Sequence, residues 1–512
     1  MTLLNSRRSA PRRERGVVAR ATGVTMVLTI AGSASGFIRD LLVAGVFGAS
    51  AGTDAFMVAW TIPETAAPLL IEGALSFLLI PHFSREVERG TSLRDAVWSA
   101  LPKAVLALMA LTAITALAAP WIAPGLAPGI REHDLAVRCM QITAITVLGF
   151  GVAGYCSAAL RTQKIFGPPA AIYLAYNAAI IAAIGLGHAG WGIFSVACGV
   201  AVGGVFMALI QLPALFRHIG RPVRAAASSL SWAVFVPIAA FTLIRQAQVF
   251  VERFVASSLP PGSISHLNYA QKIAQVPMIA SLIVATVTFP ALARSIAARD
   301  DEAAARRVLA DLRVATVIVV LSTAILVAHA PDVVRLLLEH GAFTAADTEA
   351  TAWSMRLYCL GLLGQAVVGV VCRIFFCAPR PGWYPALAMV AGLVVTGVAA
   401  PLLAGPLGVG GVALANAAGI TLTAGLLLGG LRKPLLVLPM GALAWSSLRF
   451  LMAGALAAGL SLSLRPFAPD LPLIVLVPVE ALFTTAVFVL AALLAGSRRD
   501  LSSALRLREG GA

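Results

Sequence analysis

The sequence predicts an all-α integral membrane protein with about fourteen transmembrane helices, on three observations. Of its 512 residues 59% are hydrophobic and only 12% charged, whereas a soluble domain carries about a quarter charged residues, so this chain cannot cover its surface with polar groups. Apolar stretches of about 20 residues, enough to cross ~30 Å of hydrocarbon at 1.5 Å per residue, recur from end to end. Lysine and arginine, finally, collect in alternate loops.

The spans fall at 21–46, 54–81, 97–119, 135–160, 168–187, 191–216, 231–256, 267–293, 312–330, 350–376, 384–404, 408–429, 443–463 and 472–495. Each is predicted helical, because an isolated span satisfies its backbone hydrogen bonds in lipid only that way. The basic start of the chain (Arg7, Arg8, Arg12, Arg13) leads into a first apolar run without a small-residue cleavage site, so the first span is read as retained. With the N-terminus inside, the cytoplasmic loops hold Arg85 and Arg89, Arg161 and Lys164, Arg217 and Arg221, Arg306 and Arg307, Arg373 and Arg380, and Arg432 and Lys433. The opposite loops are almost bare, with Arg131, Arg335 and Arg465 as exceptions. An even count places both termini in the cytoplasm of a multi-pass bacterial inner-membrane protein.

The net charge of +15 lies in short loops between apolar runs, without the aromatic platforms of a nucleic-acid-binding surface. The six cysteines, from Cys139 to Cys377, sit in or beside apolar segments and read as small packing residues. There is no Walker A loop, no aspartate-rich metal-diphosphate motif and no histidine pair at ligand spacing. His329 stands alone and Glu480 reads as a packing or interfacial residue, so the expectation is a non-enzyme with no metal site and no cofactor.

Residues 36–120 and 243–331 form an internal repeat: Pro68 and Pro81 lead into Arg85 as Pro277 and Pro290 lead into Arg294, and Ala119-Pro120 matches Ala330-Pro331. The predicted organisation is a basic tail (1–16), an N-terminal lobe of six spans (17–216), a C-terminal lobe of six (217–430), two further spans (431–497) and a second tail (498–512). Repeated lobes of this kind enclose a central cavity in alternating-access transporters.

A charge at mid-bilayer costs ~2.5–3.5 kcal/mol or more, so charges that persist there face water or a partner. Here they gather in the first two spans of each lobe: Arg39 and Asp40; Asp54, Glu64 and Glu72; Arg245, Glu252 and Arg253; and Lys272. Arg39, Lys272, Arg245, Asp54 and Glu72 are the candidate cavity residues, while Pro63, Pro68 and Gly73 are placed to break the second span. Arg39 and Asp40, as neighbours on one helix, point different ways and are not expected to pair.

The run Gly36-Phe37-Ile38-Arg39-Asp40, Phe47-Gly48-Ala49, Thr53-Asp54-Ala55-Phe56, Ile62-Pro63 and Glu72-Gly73-Ala74-Leu75-Ser76 resembles the opening of the MurJ/MviN family, and Tyr269-Ala270, Lys272 and Gly341-Ala342-Phe343-Thr344 extend the likeness. That family comprises lipid II flippases of the MOP superfamily, alongside MATE exporters and Wzx-type flippases. The resemblance implies a MOP/MATE-like pair of lobes that passes undecaprenyl-diphosphate-linked peptidoglycan precursor outward by alternating access, and it places Arg39, Asp54 and Glu72 in or near the cavity. Ser33, Ala67 and Lys272 stand where the family usually has arginine, and lysine grips a diphosphate only as a point charge. A Wzx-like flippase for another polyprenyl-linked oligosaccharide and a MATE-like drug or cation antiporter are the alternatives. The implied partners are a polyprenyl-diphosphate glycolipid, the bilayer and cell-wall synthesis proteins. The chain is expected to be a monomer coupled to the membrane potential or a monovalent cation.

Overall fold

The computed structural model describes residues 12–72, 74–88, 92–220, 235–278, 295, 300–376, 382–431, 438–467 and 471–497, and every regular element among them is helical. In chain order these are α1 (Arg12–Phe47), α2 (Ala51–Ala67), a π-helical turn (Pro68–Glu72), α3 (Ala74–Glu88), α4 (Leu93–Leu126), α5 (His133–Thr143), α6 (Ile145–Thr162), α7 (Gly167–Trp191), α8 (Phe194–Leu209), α9 (Leu212–His218) and α10 (Phe235–Ala256). Helix α11, described over 263–278, follows. Then come α12 (Asp301–Ala328), α13 (Ala330–Leu338), α14 (Ala345–Cys359), α15 (Leu362–Phe376), α16 (Tyr384–Leu407), α17 (Val409–Gly429), α18 (Met440–Leu464), a 3-10 turn (Arg465–Phe467) and α19 (Leu473–Leu494). Gly73, the tails 1–11 and 498–512, Cys377, and Pro290 and Arg294 of the repeat lie outside the described residues.

Among the described residues ten helical segments are long and apolar enough to cross a bilayer, and α14 with α15, bent by 46° at a short break, makes an eleventh. That is short of fourteen, and the difference lies in the charged spans. The predicted spans 54–81, 231–256 and 267–293 carry Asp54, Glu64, Glu72, Arg245, Glu252, Arg253 and Lys272, and α2, α3, α10 and α11 are not among the ten. The predicted break in the second span coincides with the π-helical turn, which opens on Pro68, a residue that cannot donate to the preceding turn.

The chain forms two compact units: residues 1–42, 62–119 and 138–235 make one, and residues 43–61, 120–137 and 236–512 the other. In the first, Phe83, Val97, Tyr155, Leu160 and Leu215 form a buried core. The Tyr155 hydroxyl donates to the Val97 carbonyl at 2.7 Å, and Ser157 donates to Gln211 at 2.9 Å, so polar atoms taken out of water keep a partner. Helices α7 and α8 pack through glycine: a Cβ at Gly203 would fall 2.7 Å from the Tyr176 carbonyl. This is the small-residue approach that membrane helices use when no hydrophobic effect drives them together.

In the second unit α16 and α17 meet the same way, with Gly392 against Thr423 and Gly419 against Thr396. A larger apolar cluster joins Val308, Leu312, Val371, Met389 and Leu427, and Phe450 and Phe488 bring α18 and α19 onto Val320 of α12. Large apolar side chains also point outward, with Leu186 90% and Leu494 81% exposed. A surface this rich in large apolar side chains is solvated by hydrocarbon, and with ten or eleven apolar spans among the described residues the chain is a multi-pass membrane protein.

Candidate functional site

In the first unit the candidate cation is Arg39, buried on α1. Its Nη1 donates to Asn177 Oδ1 at 2.9 Å, and its Nη2 and Nε donate to Asp40 Oδ1 at 2.7 and 3.1 Å. The expectation that Arg39 and Asp40 would not pair is corrected by this 2.7 Å ion pair. The Cβ atoms of neighbours do diverge, but the long arginine arm curls back along the helix. Asn177 on α7 in turn donates to the Gly32 carbonyl and to Ser35 Oγ at 3.1 and 3.2 Å, which fixes its amide with oxygen toward Arg39. The guanidinium is thus held rigidly with its charge partly offset. Glu64 is half-buried on α2, and Glu72 closes the π-helical turn.

In the second unit Asp54 is buried in the first turn of α2 and does not stand open to a ligand. Its Oδ2 accepts from the Gly262 amide at 2.7 Å, while Oδ1 accepts from the Ser265 amide and hydroxyl at 2.8 and 2.7 Å. These are the otherwise orphaned donors at the start of α11, so Asp54 caps that helix from a distance. Around it the motif residues of the resemblance interlock. Tyr269 donates to the Gly48 carbonyl at 3.3 Å, the Ala342 amide to the Gly45 carbonyl at 2.8 Å, and His266 Nε2 meets Asp347 Oδ1 at 2.9 Å. Thr344 and Asp347 form a capping box at the start of α14. Removing the Asp54 carboxylate leaves buried amides unsatisfied at ~1–3 kcal/mol each. Asp54→Ala is therefore expected to lower the melting temperature in detergent and the membrane level of the protein. An unchanged melting curve would remove the capping role.

The same unit contains a polar seam of a kind an apolar helix pair would not tolerate unpaired. Glu252 Oε1 accepts from Asn416 Nδ2, and Arg253 Nη1 donates to Thr61. Gln271, Gln275 and Gln365 all direct an amide nitrogen to the Tyr358 hydroxyl, at 3.0, 3.4 and 2.9 Å. Lys272 is half-buried beside this seam on α11, and Arg245 is exposed on α10. Another part of α10 is apolar: Phe250, Val251, Phe254 and Val255 line an open groove of about 830 Å³ with Leu126, Pro401 and Gly405. Lys272, Arg245 and Asp54 thus belong to one unit and Arg39, Glu72, Pro63 and Pro68 to the other.

Sequence reasoning passed over Asn177, Asn416 and Tyr358. The available signal was a lone amide inside an apolar run, Tyr176-Asn177-Ala178 and Ala415-Asn416-Ala417, since a buried amide without a partner costs a few kcal/mol.

Two compact helical units, ten or eleven apolar spans among the described residues and buried or half-buried cationic side chains on α1, α10 and α11 define a polytopic membrane transporter. The family model for "Lipid II flippase MurJ" matches residues 43–477, and the chain belongs to that family. It is 26% identical over 366 residues to the lipid II flippase MurJ of Burkholderia cenocepacia, covering 68% of this chain and 71% of that one. It is 25% identical over 478 residues to the probable lipid II flippase MurJ of Vibrio cholerae, covering 85% and 87%. In fold it is similar to a solved lipid II flippase MurJ in an inward closed conformation, with a TM-score of 0.75 at 21% identity over 93% of this chain and 99% of that one. An inward-facing multidrug-resistance MATE transporter of the MOP superfamily follows at a TM-score of 0.66 and 14% identity, over 84% and 98%. The MOP/MATE-like architecture expected from the sequence is thereby shown.

Proposed function

We propose that this chain is a lipid II flippase, moving undecaprenyl-diphosphate-linked peptidoglycan precursor from the inner to the outer leaflet of the bacterial cytoplasmic membrane by alternating access. The family match over residues 43–477 carries this reading. Arg39, Lys272 and Arg245 are the groups that attract the diphosphate, since each is a cation within one of the first two predicted spans of a lobe, and a diphosphate is recognised by charge-assisted hydrogen bonds. Asp54 acts by positioning α11, which carries Lys272. Pro68 and the π-helical turn that it opens supply irregular backbone of the kind that lines a wet cleft. The polyprenyl tail stays in lipid while the headgroup crosses.

The protein works by translocation rather than catalysis and uses no cofactor. An inside-negative potential favours outward passage of an anionic headgroup by ~2.3 kcal/mol per charge per 100 mV, and a monovalent cation is the alternative coupling. Both termini lie in the cytoplasm, as the basic loops direct. Expression in a strain depleted of its own lipid II flippase is expected to restore growth and cell shape. Lysis despite a normal membrane level would overturn the substrate. Rescue instead of a strain blocked in exporting another polyprenyl-linked glycan would favour the second reading, which the Ser33, Ala67 and Lys272 departures support.

A further inference from the structure

At the junction of α12 and α13 three residues given no part in transport above, His329, Asp332 and Glu480, bring ligand atoms within 4.8 Å of one another. His329 links the two helices and is 3% exposed; Asp332 lies in the first turn of α13, and Glu480 projects from α19. In the sequence His329 stands alone and Glu480 reads as packing or interfacial, because these residues are distant in the chain. The fold corrects that by packing α19 beside the end of α12.

The hydrogen bonds fix which atoms hold lone pairs. Thr484 Oγ1 spends its one proton on the Glu480 carbonyl at 2.9 Å, so toward His329 Nε2, also at 2.9 Å, it can only accept. Ser461 Oγ completes its shell at 2.8 Å. In the neutral imidazole Nε2 then carries the proton, and Nδ1 presents a lone pair. That lone pair lies 3.1 Å from Glu480 Oε2, and Nδ1, Oε2 and Asp332 Oδ2 are all buried without a hydrogen bond among the described residues. The positive groups at the cluster are Arg465 and Arg356. Arg465 Nη2 donates to Asp332 Oδ1 at 3.1 Å and lies 2.9 Å from Oδ2, whereas Arg356 turns its Nε to the Val327 carbonyl at 2.9 Å. Three buried Lewis-basic atoms facing one another call for a proton or a cation between them, and the arginine reaches only one.

We propose that His329 Nδ1, Asp332 Oδ2 and Glu480 Oε2 form a binding site for a divalent transition-metal ion of the zinc type. One imidazole nitrogen and two carboxylate oxygens suit such an ion, with a fourth position open to water. Bonds of ~2.0–2.2 Å set neighbouring ligands roughly 3.3–3.6 Å apart, a spacing the Nδ1 and Oε2 pair already approaches. Thr484 and Ser461 orient the imidazole from behind, the part that outer hydrogen bonds play at metal histidines. Bound metal clamps α13 and α19 to the end of α12, and Arg465 competes with it for Asp332.

The test uses the full chain, purified without a polyhistidine tag, stripped with a chelator and titrated with zinc. One zinc per chain is expected by elemental analysis, together with a melting temperature that rises with zinc and visible absorption of a low-symmetry site when cobalt(II) replaces it. Glu480→Gln and His329→Gln are expected to weaken binding at least tenfold. Arg465→Gln, which removes a like charge, is expected to tighten it about tenfold, so the proposal does not depend on the fate of one variant. No retained zinc in the wild-type chain overturns the site, as does equal affinity in the wild-type chain and in all folded variants. A proton shared between His329 and Glu480 in place of a metal would give that first outcome. Complementation by the unmetallated chain is independent of this result, so failure of the metal site and failure of the flippase reading are distinguishable.

Discussion

Arg39→Ala is expected to reduce lipid II translocation by at least roughly tenfold to a hundredfold, from ~1.5–3 kcal/mol for each lost hydrogen bond to a charged group. The measurement is flipping by the purified protein in vesicles, beside growth of a flippase-depleted strain. Arg39 also holds Asp40 and Asn177, so loss of fold has to be separated from loss of transport. Removing one partner of a buried ion pair destabilises by about 3–5 kcal/mol, because the remaining charge is stranded, whereas removing both is far milder. The double variant Arg39→Ala/Asp40→Ala is therefore expected to recover the melting temperature without recovering transport. Arg39→Lys, which keeps the charge and loses the planar fork, is expected to fall between them. Normal flipping by the double variant would show that Arg39 serves only the packing of α1 on α7.

The apolar helices were legible because length and hydropathy decide them together: α4, α7, α12, α16, α17, α18 and α19 each supply a long run with few charges, and lipid permits little else. Where the runs are charged, the sequence singles out the charged residues and leaves their partners open. Asp54 was visible as a carboxylate in an apolar chain, but the donors it caps lie 208 and 211 residues further on, a pairing no local pattern encodes. Arg39 and Asp40 failed for the opposite reason. Their spacing was plain, and the rule about neighbouring Cβ directions took no account of a side chain long enough to double back. His329 and Glu480 each looked ordinary in its own segment, and only the packing of α19 on α12 joins them. The compact units are similarly non-local, since residues 43–61 and 120–137 belong with the later half of the chain, which a lobe boundary drawn along the sequence does not capture.

Gly341→Ala is expected to be among the most destabilising single methyl additions in the second unit. Gly341 has φ +63°, and a Cβ there would lie 2.2 Å from the Gly45 carbonyl oxygen. The left-handed backbone alone costs a non-glycine residue ~1–2 kcal/mol. The clash adds to that and has no soft side chain to absorb it, because the carbonyl is held at 2.8 Å by the amide of Ala342, the very next residue. Gly48 sits across the same junction, with φ +64° and a Cβ position 2.6 Å from the Ala342 carbonyl oxygen. Relief by moving either strand of backbone therefore drives it toward the other, and the Asp54 cap and the Tyr269 bond to Gly48 would be pulled along. Heating the detergent-solubilised protein is expected to show a melting temperature lowered by several degrees for Gly341→Ala and for Gly48→Ala alike. Gly397, helical and with open space where a Cβ would stand, is the control, and its alanine variant is expected to melt at or slightly above the wild-type temperature because alanine favours the helix. Equal melting of all three variants would mean that this junction is loose enough to absorb a methyl group. The motif glycines would then have to be explained by movement during the transport cycle and not by the resting fold.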